Sequence, residues 1–200
     1  QSDGKIIIGG RINCVQGVKY FVRINEDGSF DNSFNSAVVE QVDHIVAMQN
    51  DNKLLVSLYN SSSSSNPGRV FRLNLDGSID NSFNLGSGFS STILTKILVL
   101  QNGKIIALGG FDSYNGVSVR KGIVKLNQDG TLDSSFNDTS SQGFINRGFY
   151  MRPYNNANGL YRVYDIIEQP DGKLIAVGSF NTYDNGTPNG TNCQNIVRID

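Results

Sequence analysis

The sequence predicts an all-β protein, a β-propeller built from four-stranded antiparallel blades of about fifty residues each. Three observations carry this prediction. Two phrases recur in fixed order along the 200 residues. Each phrase places an Asp-Gly or Asn-Gly pair between apolar, β-branched runs, which is a hairpin signal. With 22 Gly, no Trp and 18% charged residues, the composition suits turn-rich strands better than helices.

The first phrase is Gln1-Ser-Asp-Gly-Lys5-Ile-Ile-Ile, met again as Gln49-Asn-Asp-Asn-Lys53-Leu-Leu-Val, Gln101-Asn-Gly-Lys104-Ile-Ile-Ala and Gln169-Pro-Asp-Gly-Lys173-Leu-Ile-Ala. The second is Val22-Arg-Ile-Asn-Glu-Asp27-Gly-Ser-Phe-Asp31-Asn-Ser-Phe34, echoed from Phe71 to Phe83 and from Val124 to Phe136. The phrase lysines at 5, 53, 104 and 173 step by 48, 51 and 69 residues, so the third interval carries an insertion, placed at 138–161. Units of 1–40, 41–90, 91–161 and an incomplete 162–200 follow, forming one propeller segment. The missing initiator Met and the mid-unit start and end predict a processed chain or a piece of a longer one.

Within a unit, a first strand such as Ile97 to Leu100 runs into the Asp-Gly or Asn-Gly pair, read as a type I′ turn, and the second strand follows the Lys. A Gly-rich bend, Gly109 to Gly116 in the third unit, leads to the third strand, Ile123 to Asn127. A second Asp-Gly hairpin and a short fourth segment, Leu132 to Phe136, close the unit. A β-solenoid would have shorter coils, and paired sandwiches would not repeat their turn chemistry so faithfully.

These two phrases resemble the delta-60 repeat family, a β-propeller repeat marked by Gln-Pro-Asp-Gly-Lys-Ile and Arg-Leu-Asn-x-Asp-Gly-x-x-Asp-x-x-Phe. The likeness covers the chain apart from 138–161 and the Ser61 to Ser65 loop. Unit two departs from it, with Asn52 for the turn Gly and Leu58 for the later one, which puts that unit's first turn in question. The resemblance implies a part of a phage tail or fibre, or of a secreted bacterial surface protein, with no chemistry assigned.

Charge and apolar content narrow the function classes. With 17 basic and 18 acidic residues the net charge of −1 offers no field to gather phosphate or anionic lipid, so nucleic acid is not an expected partner. Runs such as Ile97 to Leu100 fall far short of the ~20 residues of a membrane-spanning helix. Cys14 and Cys193 are too few for a disulfide framework or a zinc site, and His44 stands alone. No nucleophile elbow, His-Glu-x-x-His or paired-Cys motif occurs, so no catalytic residue is expected.

Three sets of residues are candidates for binding. Asn-x-Asp-Gly-x-x-Asp, with Asp27 and Asp31, Asp76 and Asp80, and Asp129 and Asp133, spaces oxygen ligands as calcium loops do, although the same residues can shape turns without metal; no other cofactor is expected. The bends with Phe111, Asp112, Tyr114 and Asn115, and with Phe180, Asn181 and Tyr183, set rings beside planar polar groups, as glycan binding requires, while the same rings could instead pack between blades. The insertion carries Arg147, Phe149, Tyr150, Arg152 and Tyr154, the residue types that dominate protein interfaces, while the same loop could instead be an ordered lid packed over its blade.

The expectation is a non-enzymatic structural and binding module, a virion component or bacterial surface adhesin, outside the bacterial cytoplasm. Its partners would be subunits of a large assembly, or a host surface protein or glycan. An extracellular polysaccharide-acting enzyme using the strand-borne Asp43 or Asp165, and a purely architectural subunit, are the alternatives.

Overall fold

The computed structural model describes residues 1, 3–14, 17–37, 42–48, 51–58, 70–90, 94–119, 122–136, 148–150, 162–184 and 191–199. Of 42–48, 58, 148–150, 162, 182, 184, 191 and 192 it describes the backbone alone. The protein is all-β, with sixteen strands and no helix among these residues. They divide into two compact units, one up to Phe83 and one from Asn84 onward.

The first unit holds β1 (Ile6–Cys14), β2 (Gly17–Ile24), β3 (Val42–Met48), β4 (Leu54–Leu58) and β5 (Val70–Leu73), as a two-stranded sheet β1-β2 and a three-stranded sheet β3-β4-β5. In the second unit, β6 (Leu94–Val99), β7 (Ile105–Gly109), β8 (Ser113–Tyr114), β9 (Val117–Ser118) and β10 (Ile123–Leu126) form the sheet β6-β7-β10 and the small hairpin β8-β9. It continues with β11 (Gly148–Tyr150), β12 (Arg162–Glu168), β13 (Leu174–Ser179), β14 (Thr182–Asp184), β15 (Thr191–Asn192) and β16 (Ile196–Ile199), giving the sheets β12-β13-β16 and β11-β14-β15. All pairings are antiparallel.

The second, third and fourth repeats therefore show their first three strands in the expected order, and the first repeat its second and third, β1 and β2. The fourth segment is reduced to single bridges, Ile24 to Phe30, Leu73 to Ile79 and Leu126 to Leu132. Its brevity has a local cause: one residue past each bridge an Asp side chain accepts from the Ser amide two residues on (Asp31 from Ser33, 2.9 Å), and this turn carries the chain off the sheet. Part of the expected insertion loop is strand, since Phe149 of β11 pairs with Tyr183 of β14.

The Asp-Gly turns differ from the type I′ expectation. Leu100 N–H donates to the Lys104 carbonyl and Gly103 N–H to the Leu100 carbonyl, both at 2.8 Å. This is a three-residue loop in which one left-handed residue suffices. That residue is Gly4, Gly103 or Gly172, at φ of 75, 79 and 78°, and in the second repeat Asn52 holds the place at 62°. Asn tolerates the left-handed region better than other side chains, so the departure at Asn52 keeps the turn. A true two-residue loop joins β8 to β9, where Asn115 and Gly116 have φ of 54 and 73°.

The interior is aliphatic and aromatic. In the first unit Phe21, Phe34, Leu54, Val56 and Leu73 pack together. In the second, Ile106, Leu108 and Ile123 share a core with Ile166, Leu174 and Ala176.

Candidate functional site

The charged residues that the repeats share meet at one point in each of the first three repeats. Lys5 Nζ and Arg23 Nε donate to the same Asp31 oxygen at 2.8 and 2.7 Å, and the other oxygen accepts from Ser33 N and Oγ at 2.9 and 2.6 Å. Lys53, Arg72 and Ser82 repeat the arrangement around Asp80. Lys104 and Ser135 do so around Asp133, with Lys125 at the Arg position and 5.6 Å from the Phe136 ring. Arg23 and Arg72 lie 4.9 and 5.0 Å from the rings of Phe34 and Phe83.

Lys5, then Ser33 and Arg23, hold the Asp31 carboxyl far below the usual aspartate range. Burial opposes ionisation at Asp80 and Asp133, and the hydrogen bonds from Lys53 and Ser82, and from Ser135 and Lys104, outweigh it. Asp27, Asp76 and Asp129 instead shape their turns, each Oδ1 accepting from the Ser or Thr two residues on. Where calcium binding would put a metal, the protein's own ammonium and guanidinium groups stand against Asp31, Asp80 and Asp133. Among the described residues no three His, Cys, Asp or Glu side chains cluster to hold a metal.

The rings expected to stack on a glycan point inward. Phe111 and Tyr114 are buried, and Phe89 packs against them with centroids 4.8 and 5.0 Å apart. Tyr114 Oη donates to the Gly130 carbonyl at 2.5 Å, and burial, aided by Asp129, pushes its phenol well above the ordinary value. Alternation along the β8-β9 hairpin turns their neighbours outward, so Asp112 and Asn115 are exposed. Both bind the preceding segment: Ser90 Oγ donates to Asp112 Oδ1 at 3.0 Å and Ser87 N–H to Asn115 Oδ1 at 2.5 Å.

The fourth repeat follows the same rule. Phe180 and Tyr183 are buried, Asn181 is half-buried, and its carbonyl accepts from Cys193 N–H at 3.0 Å. Val119 donates to Asp112 in the same way, so Cys193 fills an apolar position, and burial raises its thiol pKa. Cys14 and Cys193 are both free thiols. Arg147, Arg152 and Tyr154 lie outside the described residues, and Phe149 and Tyr150 are placed by backbone only.

An open concavity occurs elsewhere, on the first repeat. β2 has eight residues where β5 and β10 have four, and beyond Ile24 its outer edge has no strand partner among the described residues. Between that edge and residues 30–36 lies a cleft of about 440 Å³, lined by Lys19, Tyr20, Phe30, Asn32 and Asn35 among others. Phe30 is 40% exposed, Lys19 Nζ sits 5.4 Å from its ring centroid, and both asparagine side chains face solvent. The signals that could have located it are the aromatic Phe30, where the other repeats carry Ile79 and Leu132, and the uninterrupted strand residues before Arg23.

Residues 1–34, 49–83, 100–136 and 169–200 match the family described as "Domain of unknown function (DUF5122) beta-propeller". The chain belongs to the DUF5122 β-propeller family. No curated protein matches it. Among solved structures it is similar to MPT-4, a mannose phosphorylase from Leishmania mexicana in complex with phosphate ion, at 13% identity and a TM-score of 0.35 over 98% of this chain. It spans 64% of that protein's length.

Three of the four DUF5122 segments contain a carboxylate hub, with Lys and Ser partners in all three and Arg in the first two, so what these segments share is spent on holding the repeats together. Of the strand-borne acids, Asp165 pairs with Lys96, accepts from Ile166 N–H and is held below the ordinary aspartate value chiefly by Lys96. The Asp43 side chain lies outside the described residues. No helix among the described residues is long and apolar enough to cross a membrane.

Proposed function

We propose that this DUF5122 chain is a non-enzymatic structural and binding module, a phage tail or fibre component or bacterial surface adhesin, whose first-repeat cleft recognises a glycan or partner protein. The cleft beside β2 carries the reading. An exposed ring, a half-buried Tyr, two solvent-facing amides and an ammonium group suit a sugar, which stacks its apolar face on a ring and gives its hydroxyls to planar polar groups. The finer architecture goes with it: four-stranded blades of the delta-60 type, the fourth strand shortened to one bridge. Glycan-array binding tests the proposal, with a pull-down on host cells as the protein arm. Failure to bind any glycan or surface protein would sink it.

A further inference from the structure

β2 carries Lys19, Phe21 and Arg23 on one face, and the row runs from the interior to the mouth of the first-repeat cleft. Arg23 and Phe21 are buried, with the Phe34 ring centroid 4.9 Å from the guanidinium and 5.6 Å from the Phe21 centroid. Lys19 is exposed at the mouth, its ammonium 5.4 Å from the centroid of the Phe30 ring. Counted from Arg23, Arg72 and Lys125, the Lys19 place is Gly68 in the second repeat and Lys121 in the third, and the Phe30 place is Ile79 and Leu132. Of these three repeats, only the first therefore combines a cation with a ring.

The cleft holds more positive than negative charge. Lys19 and Arg23 line it together with a single carboxylate, Asp31. Lys5 and Arg23 both donate to that carboxylate, at 2.8 and 2.7 Å, so its charge is met twice over. Lys5, Lys53, Lys96 and Lys104 each sit against an aspartate, whereas the Lys19 ammonium faces no carboxylate among the described residues. An ammonium beside an aromatic ring keeps its charge and its three donors, and the ring offers them no oxygen acceptor.

We propose that the first-repeat cleft takes an acidic sugar, one bearing a carboxylate or sulfate group, with the sugar ring stacked on Phe30 and the anionic group on the Lys19 ammonium. This rests on the reading of the cleft as a glycan site and adds the ligand's charge to it. Charge complementarity supplies the argument, since the lining has one cation in excess and no unpaired carboxylate to repel an anion. Hydrogen bonds to an ionised partner are roughly twice as strong as neutral ones, so the ammonium favours the acidic form of a sugar over its neutral form. The solvent-facing amides of Asn32 and Asn35 serve the hydroxyls of either form.

An array carrying sialylated, uronate and sulfated glycans beside their desialylated, methyl-esterified and desulfated counterparts tests this, followed by titration of the pair whose acidic member binds best. The wild type is expected to bind the acidic member roughly three- to tenfold more tightly than the neutral one, between the effect of an exposed ion pair and that of a charged hydrogen bond. Lys19→Gln should abolish the difference and Lys19→Arg should keep it. Salt at about 1 M, where the screening length is about 3 Å, should erode it. Melting curves check that each variant is folded. Equal binding of both members, or a preference that survives in Lys19→Gln, overturns the acidic sugar, and binding that is then lost in Phe30→Ala leaves the cleft reading standing. Binding of no glycan also overturns the acidic sugar, and the cleft reading falls with it if no surface protein is captured either.

Discussion

The main-chain N–H of Asn35 donates to the carbonyl of Asp76 at 2.9 Å, tying the tail of the first repeat to the Asp-Gly turn of the second. Asn84 and Asp129 repeat it at 2.9 Å in the other unit. Beside the first contact, Arg23 Nη1 donates to the Leu75 carbonyl at 2.6 Å and Ala37 N–H to the Gly77 carbonyl at 3.1 Å. The arginine that neutralises its own repeat's aspartate thus also fastens the next repeat's turn. The family phrases are a latch between neighbours.

Gly77 sits under this latch at φ 89°, where an added Cβ would lie 2.9 Å from Ser36 N and 3.0 Å from the Asn35 carbonyl group. Gly28 has nearly the same φ, 83°, and open space around it. Gly28→Ala is expected to cost about 1 kcal/mol, for the backbone alone. Gly77→Ala should cost about 2 kcal/mol or more by denaturant melts, because the latch must also shift.

Asp80→Asn removes the charge between Arg72 and Lys53. Asp80 and Arg72 are buried, and Lys53 is only partly so, which places the loss at about 2–3 kcal/mol, at or below the lower end of a fully buried pair. Chemical denaturation of the variant checks it, and a change within error would mean that the hub is dispensable.

The same hubs set an acid limit. Asp31, Asp80 and Asp133 have folded values below the ordinary aspartate value of about 3.9, so their stabilisation is complete above that pH. It is lost progressively as pH falls from there toward the depressed folded values. Urea midpoints measured across acid pH should fall in that window for the wild type, and less steeply for Asp80→Asn.

Tyr114→Phe keeps the aromatic cluster and deletes the hydrogen bond to Gly130. The buried carbonyl left unpaired should cost about 1–2 kcal/mol. In an alkaline absorbance titration the wild-type Tyr114 phenol should stay protonated past the ordinary tyrosine value near 10 and ionise with unfolding.

Much of the strand order was legible because hairpin chemistry is local. Gly after Asp or Asn, and alternating apolar residues around it, specify a turn and its two strands without help from the rest of the chain. The hub was legible in principle: Lys5 and Asp31, Lys53 and Asp80, and Lys104 and Asp133 are 26, 27 and 29 residues apart, a recurrence that turn chemistry does not require. The aromatic bends left two readings open because Phe111 and Tyr114 look alike whether their rings face a ligand or a core. Only the register of β8 on β9 and the arrival of Phe89 from a distant loop decide it. The cleft was hidden for the same reason, since its walls, β2 and residues 30–36, are brought together by the hairpin and not by any motif.

The central claim is that binding lies in the first-repeat cleft, where the copies differ, and not in the bends or hubs that they share. The direct measurement is titration of the strongest glycan from an array against wild type, Phe30→Ala, Tyr20→Ala and, as a control, Asp112→Ala, each with its melting temperature. The account predicts that Phe30→Ala and Tyr20→Ala weaken binding roughly tenfold or more, about 1.4 kcal/mol or above, while melting stays close to wild type and Asp112→Ala binds as wild type does. Undiminished binding by both cleft variants, or loss confined to Asp112→Ala, would contradict it.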